Sequence, residues 1–258
     1  MLPLWNSDMY TFGAMTMTNL IGYWLINKAM KRARIWRYVV DGEVLTNRDQ
    51  WMVCNIICSL IHSIVSAVWT TTCFLATPSL VEDLINKTSW WSSALIAASG
   101  GYFMYDTYDI LLNDGFRQKP VLIHHVLILH AFPFALMTSS YHGFALSALL
   151  MEYSSIFLHL RRLMKYANKK PTIFGLPRIF VEMFVKVFLV LTMLVFRHLL
   201  SLFLIRHMWQ NRNTITGIPF WIGITSSVVF IPVNIGLSYR VYKTKDLEKG
   251  RRRTIVSP

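Results

Sequence analysis

Two adjacent histidines, His124 and His125, lie just inside an apolar stretch that begins at Val121, and two aspartates, Asp106 and Asp109, lie near the end of the apolar stretch before it. Imidazole is the side chain best suited to moving a proton near neutral pH, and a carboxylate partner fixes its tautomer and raises its basicity. A histidine of such a pair could deprotonate an amine or hydroxyl. It could also attack a thioester itself, with the other histidine or a carboxylate in support. If both stretches span a bilayer and are joined by residues 113–120, they form an antiparallel hairpin with the four groups at about the same height. Ionisable side chains at that depth are costly, and they mark sites or pair across helices.

The elements that must position them are read from composition. Hydrophobic residues make up 54% of the 258 and charged residues only 15%, against roughly 25% charged in a soluble domain. Mean hydropathy is positive. The chain therefore reads as an all-α integral membrane protein with about seven transmembrane helices, at 10–27, 51–76, 90–112, 121–139, 143–160, 179–205 and 218–239. The short connections carry most of the Gly, Pro and charge.

Lys and Arg accumulate on the cytoplasmic side of membrane proteins, and here the loops alternate. Segments 28–48, 113–120, 161–178 and the tail from Arg240 hold 21 of the 26 basic residues. This predicts an outside N-terminus and a cytoplasmic C-terminus. The net charge of +13 thus sits in juxtamembrane blocks that attract anionic lipids, and nucleic acid is not expected as a partner. The N-terminus lacks a basic region and a small-residue cleavage site, so 10–27 reads as a retained span rather than a signal peptide.

On this topology Asp106 and Asp109 share a helical face at i, i+3, with Tyr102 and Tyr105 on the turn before. Glu152 falls near mid-membrane, with Ser155 and His159 successively nearer the cytoplasm and Lys186 in the cytoplasmic half of the next span. His124, His125, Glu152, Asp106 and Asp109 are the candidates for catalysis. Tyr102, Tyr105, Ser155, His159 and Lys186 are the candidates for lipid binding or support. Arg197 and His198 lie deeper, as exceptions. Three uses of this inventory stay open: chemistry, a ligand or ion pathway, and simple glue, in which Asp106 would bind Tyr or Ser hydroxyls and Glu152 would bind Lys186.

Other features have plainer readings. Cys54, Cys58 and Cys73 read as packing residues, and no zinc spacing exists, so no metal is expected. No Walker loop, dinucleotide fingerprint or Gly-x-Ser-x-Gly elbow is present, and no cofactor is expected. Asn86-Lys87-Thr88 is a glycosylation sequon close to the next span. Trp51, Trp90 and Trp91 read as interfacial anchors, and Pro133 and Pro232 as helix kinks. Ala97-Ala98 before Gly100-Gly101 forms a small-residue surface suited to close helix approach.

The run from Gly101 through Asp106 to Ile110, the pair His124-His125, and the run from Met151 through Glu152, Ser155 and His159 to Arg161 resemble the TLC-domain family, which includes the ceramide synthases. The similarity is greatest to the small calfacilitin-like members, which carry a comparable Asp-x-x-Asp, His-His and Glu-x-Ser series. The resemblance implies a TLC domain over 45–245. A first helix and basic segment at 1–44 would precede it, and a basic tail at 246–258 would follow it. It also implies a six-helix bundle around a lipid-accessible cavity, with the first helix outside that bundle. Ceramide synthases pair the double histidine with a downstream His-Asp-x-x-Asp. Here Met151 replaces the third histidine, Glu152 the first aspartate and Ser155 the second, so ceramide synthesis is not expected.

The calfacilitin-like resemblance implies a regulator of phospholipid acyl-chain composition and membrane fluidity. Such a regulator limits polyunsaturated chain incorporation and binds phospholipid, fatty acyl chains or acyl-CoA in the bundle. The alternatives are an acyltransferase taking acyl-CoA as substrate, and a trafficking or channel-associated partner acting through its basic loops and tail. The tail lacks an evident retrieval signal, which permits a plasma-membrane location, with endoplasmic reticulum the alternative.

Overall fold

The computed structural model describes residues 7–40, 45–167, 171–173, 175–215 and 217–243. The basic tail 246–258 lies outside them. Among the described residues eleven α-helices follow one another: α1 (Ser7–Arg32), α2 (Trp36–Val39), α3 (Asn47–Ala76), α4 (Ser79–Glu82), α5 (Trp90–Asp114), α6 (Lys119–Thr138), α7 (His142–Leu149), α8 (Glu152–Tyr166), α9 (Arg178–Thr192), α10 (Leu200–Gln210) and α11 (Ile218–Lys243). Among the described residues, five stretches are long and apolar enough to cross a membrane: Asn47–Ala76, Trp90–Thr138, His142–Tyr166, Arg178–Gln210 and Ile218–Tyr239. The protein is a multi-pass, all-α membrane protein.

The second stretch folds back on itself. Gly115 adopts φ +58°, ψ −136° at the end of α5, a conformation that only glycine tolerates well. A short 3₁₀ turn, Gly115–Gln118, and Pro120 in the first turn of α6 then restart the chain in the opposite direction. Ile110 packs on Leu122, and Phe103 on Ile128 and Phe132, as an antiparallel hairpin requires.

Two further expected spans are helical but broken. The fifth divides at Leu150–Met151 into α7 and α8, so that Glu152 opens α8. The sixth contains a π-helical segment, Met193–Leu199, between α9 and α10. Non-α backbone at membrane depth persists where protein or a cavity surrounds it, and both breaks face the same interior space.

The helix ends are capped by sequence-local chemistry. Thr46 accepts the Asp49 backbone N–H at the start of α3, and Ser89 and Ser92 form a reciprocal capping box at the start of α5. Between α8 and α9 a two-residue hairpin pairs Thr172–Ile173 with Leu176–Pro177. Arg178 then reaches back to donate to the carbonyls of Met164, at 2.9 Å, and Ala167. Those carbonyls lack intrahelical partners, and a cation suits the helix C-terminus. At the other end of the bundle Asp83 Oδ1 accepts the backbone N–H groups of Asn86 and Ile85. The Asn86 contact holds the Asp83 carboxyl below its usual range.

The first helix is long, but it is not one of the five stretches apolar enough to cross a membrane. It contributes nothing to the central cavity, yet it is packed closely on α5. Thr16 donates to the Ala97 carbonyl at 3.0 Å, and a Cβ on Gly101 would stand 2.1 Å from the Thr16 carbonyl oxygen. The expected small-residue surface is therefore the seat of α1, through Gly101 and not Gly100, which has open space around it. Cys54, Cys58 and Cys73 are buried and free. On the far side, Phe180, Leu191, Leu202, Trp221 and Ile235 are exposed, forming an apolar outer face.

Candidate functional site

The polar residues of the interior fall into two groups. The first joins α1, α3 and α5. Asp109 Oδ2 accepts from Trp51 Nε1 at 2.7 Å, Asn55 Nδ2 at 3.1 Å and Asn27 Nδ2 at 3.4 Å. Its Oδ1 takes Asn113 Nδ2 at 3.1 Å and stands 3.5 Å from Lys31 Nζ. Asn27 also donates to the Tyr105 hydroxyl, which lies 3.8 Å from Cys58 Sγ. Asp109 is thus a fully engaged junction of three helices. Trp51, expected at the interface, is buried because its indole N–H serves this carboxylate.

Asp106 stands one turn away. Its Oδ1 accepts from Asn55 Nδ2 at 2.6 Å, and its Oδ2 lies 3.6 Å from His125 Nε2. The glue reading gave Asp106 a Tyr or Ser hydroxyl; the structure gives it an amide and an imidazole. The other histidine nitrogen, Nδ1, lies 3.1 Å from Thr107 Oγ1. That hydroxyl already donates to the Phe103 carbonyl at 2.6 Å, so it accepts from His125 Nδ1–H. The tautomer assigned by this network turns an unprotonated Nε2 toward Asp106, a pair able to take up a proton between its two partners.

His124 faces elsewhere. Adjacent positions on a helix diverge by about 100°, and His124 lies against Phe230 of α11, ring centroids 4.8 Å apart, on the wall of a large cavity. The cavity, of about 200 Å³, lies between α6, α7, α10 and α11. Its length is mostly apolar, through residues such as Phe132, Ala145, Leu204, Ile222 and Ile231, with Ser226 and Ser227 among them. Its floor is polar: His124, Glu152, Arg197, Ser201 and Asn234. From that floor the apolar length runs toward Tyr141 and Ile215, away from the end marked by the Arg48–Asp114 pair.

The floor is built by the two helix breaks. Glu152, at the first position of α8, accepts from Ser63 Oγ at 2.6 Å and lies beside Ser155. The π segment carries Arg197, whose Nη1 donates to Asn234 Oδ1 and whose Nη2 donates to Ser155 Oγ, both at 3.0 Å, while Nε reaches Ser154. Glu152 is also within Coulombic reach of Arg197. Arg197, read from sequence as an exception, is therefore the cation of this floor. Lys186 is not: Val185 and Leu189 form the buried face of α9, which turns Lys186 outward, where it is exposed.

The remaining candidates lie nearby. Tyr102 stacks on His62, centroids 3.7 Å apart and planes at 11°. Among the described residues the buried His159 Nδ1 has no hydrogen-bond partner. His62, Asn55 and Ser63 were not among the candidates, yet Asn55, Ser59, His62, Ser66 and Thr70 are all buried on α3 at helical spacing. That polar stripe on an otherwise apolar helix was the available signal. Asn234, one of several polar residues in the last span, offered none. Among the described residues no cluster of three His, Cys, Asp or Glu is arranged to hold a metal.

Comparison with known proteins fits this architecture. The model of the TLC domain matches residues 52–243. A Danio rerio protein named TLC domain-containing protein 2 is 32% identical over 209 residues, covering 81% of this chain and 82% of its own. A human TLC domain-containing protein 1 is 35% identical over 58% of this chain and 61% of its own, and a mouse TLC domain-containing protein 2 is 39% identical over 49% and 41%. No solved structure matches. With a family match across most of its length and a multi-pass helical bundle around a cavity, this chain belongs to the TLC-domain family.

Proposed function

We propose that the protein holds a lipid acyl chain in the cavity between α6, α7, α10 and α11. Through that site it regulates the acyl-chain composition, and so the fluidity, of membrane phospholipids, limiting polyunsaturated chain incorporation. The observation that carries this reading is the shape of the cavity, an apolar length ending on a charged, hydrogen-bonding floor. Pockets of this kind accept an amphipathic molecule with its tail in the apolar part and its polar group on the few convergent donors. On α11, Pro219 and Asn234 mark the two ends, roughly 22 Å apart at ~1.5 Å per residue. That is the length of a long acyl chain. The regulatory part of the reading rests on the resemblance to the calfacilitin-like group.

The test is lipid analysis of cells lacking the protein and rescued at matched expression with wild type or Ser227→Trp, which fills the apolar length. Wild type should restore the phospholipid acyl profile and Ser227→Trp should not. Full rescue by Ser227→Trp would sink the reading.

A second reading, acyl transfer from acyl-CoA, is favoured by one observation: His124 and Glu152 both line the cavity. It predicts that purified protein moves a palmitoyl group from palmitoyl-CoA to a lipid acceptor and that His124→Ala abolishes the transfer. Ceramide synthesis is disfavoured at the same floor, where Met151 lines the cavity and Ser155 is bound by Arg197.

A further inference from the structure

The floor of the cavity contains a donor with nothing to bind. Asn234 is 2% exposed and lines the cavity, and among the described residues its Nδ2 has no hydrogen-bond partner. The amide cannot be turned to cure this. A guanidinium only donates, so Arg197 Nη1 fixes the Asn234 oxygen toward itself at 3.0 Å and the amide nitrogen away from itself. A buried N–H left unpaired loses its hydration with nothing in return. An oxygen acceptor supplied by a ligand makes good that loss.

The charges of the floor restrict which acceptor fits. Arg197 is the cation, its hydrogen bonds go to the neutral oxygens of Ser154, Ser155 and Asn234, and the carboxyl of Glu152 lines the same floor. The carboxylate of a free fatty acid would have to be desolvated on this floor, where the donors of Arg197 are already engaged, and burying a charge without a partner is costly. A neutral carbonyl carries no charge and needs only the one free donor.

We infer that Asn234 is the residue that recognises the carbonyl oxygen of an ester- or thioester-linked acyl chain, and that the cavity selects acylated lipids over free fatty acids. The inference rests on the reading that this cavity holds an acyl chain. The linked carbonyl comes either from a membrane phospholipid or from acyl-CoA, two sources with the same recognition chemistry.

The experiment uses the full-length protein in nanodiscs with two photoreactive probes, a diazirine-bearing hexadecanoic acid and its methyl ester. Crosslinked sites are mapped by peptide mass spectrometry. The ester should label cavity residues of α6 and α11 at least tenfold more efficiently than the acid at neutral pH. Asn234→Asp keeps an acceptor for Arg197 and removes the free donor, so it should lower ester labelling about tenfold, the scale of one buried hydrogen bond. The ester-versus-acid comparison on wild type needs no variant, and it decides the matter even if Asn234→Asp does not fold. Displacement of the ester by phosphatidylcholine or by palmitoyl-CoA supports the inference, and whichever competes names the source. Displacement by neither overturns it. Equal labelling by acid and ester, unaffected at Asn234, overturns the inference while leaving the acyl-binding reading intact. No labelling of the cavity by either probe overturns both.

Discussion

Asp109 in the α1–α3–α5 half of the bundle and Asn234 in the α6–α10–α11 half are used in opposite ways. In the first, each oxygen of Asp109 meets donors from neighbouring side chains, and the apolar window of α3 is 67% buried. In the second, the window of α11 is only 6% buried, the helices stand apart around a cavity, and Asn234 keeps a donor in reserve. A polar side chain within a membrane span is therefore not by itself a site. Complete satisfaction marks a staple, and an unmet hydrogen-bonding group beside open space marks a place for a ligand.

The largest expected effect tests the sealed half. Asp109→Ala leaves Trp51, Asn27 and Lys31 without their common acceptor, and removing one partner from a buried charged network costs on the order of 3–5 kcal/mol. Cellular abundance should collapse, and thermal unfolding in detergent should shift sharply downward. Normal abundance would mean that Asp109 is not the junction described.

Next is the seat of α1. Gly101→Ala places a methyl group 2.1 Å from a backbone oxygen of Thr16, which cannot rotate away, so α1 must shift at a cost of about 1–3 kcal/mol. Gly100→Ala, one residue away with open space around it, should be neutral or slightly stabilising by the usual helix preference of ~0.5–1 kcal/mol. Thermal unfolding of the two variants side by side measures the contrast. Equal behaviour would detach α1 from α5.

A smaller effect separates His125 from His124. Thr107→Val removes the acceptor that fixes the His125 tautomer and should cost about 1 kcal/mol. Thr107→Ser should restore it. Since the His125 pair belongs to the interior and His124 to the cavity, Thr107→Val should leave acyl-probe labelling of α6 and α11 unchanged. A loss of labelling with normal stability would join the two groups into one site.

Much of this was legible in the chain. The hydropathy of 90–112 and 121–139, with Gly115 and Pro120 between them, specified the hairpin and brought Asp106 opposite His125. Spacing could not say that His124 and His125 serve different spaces, because that depends on which neighbour each helix face meets. Nor did spacing reveal the breaks at Met151 and at Met193–Leu199, which depend on tertiary surroundings more than on local propensity. Those breaks decide that Arg197, and not Lys186, stands over Glu152. The buried polar stripe of α3 was visible in the sequence at helical spacing.

The smallest expected effect comes from the cavity half. Gly223→Ala also produces a nominal clash, 2.2 Å from Met208 Cε and 2.6 Å from its sulfur. Here the obstacle is the far end of an unbranched, flexible side chain, and both residues line the cavity, so Met208 can swing into open space. Stability should change by no more than ~0.5 kcal/mol. The same glycine-to-alanine change thus costs several-fold more at Gly101 than at Gly223. The reason is what the new methyl group meets: backbone in the sealed half, a yielding side chain beside a void in the other. If Gly223→Ala proved as costly as Gly101→Ala, the cavity half would be rigid, and its volume would belong to packing rather than to a ligand.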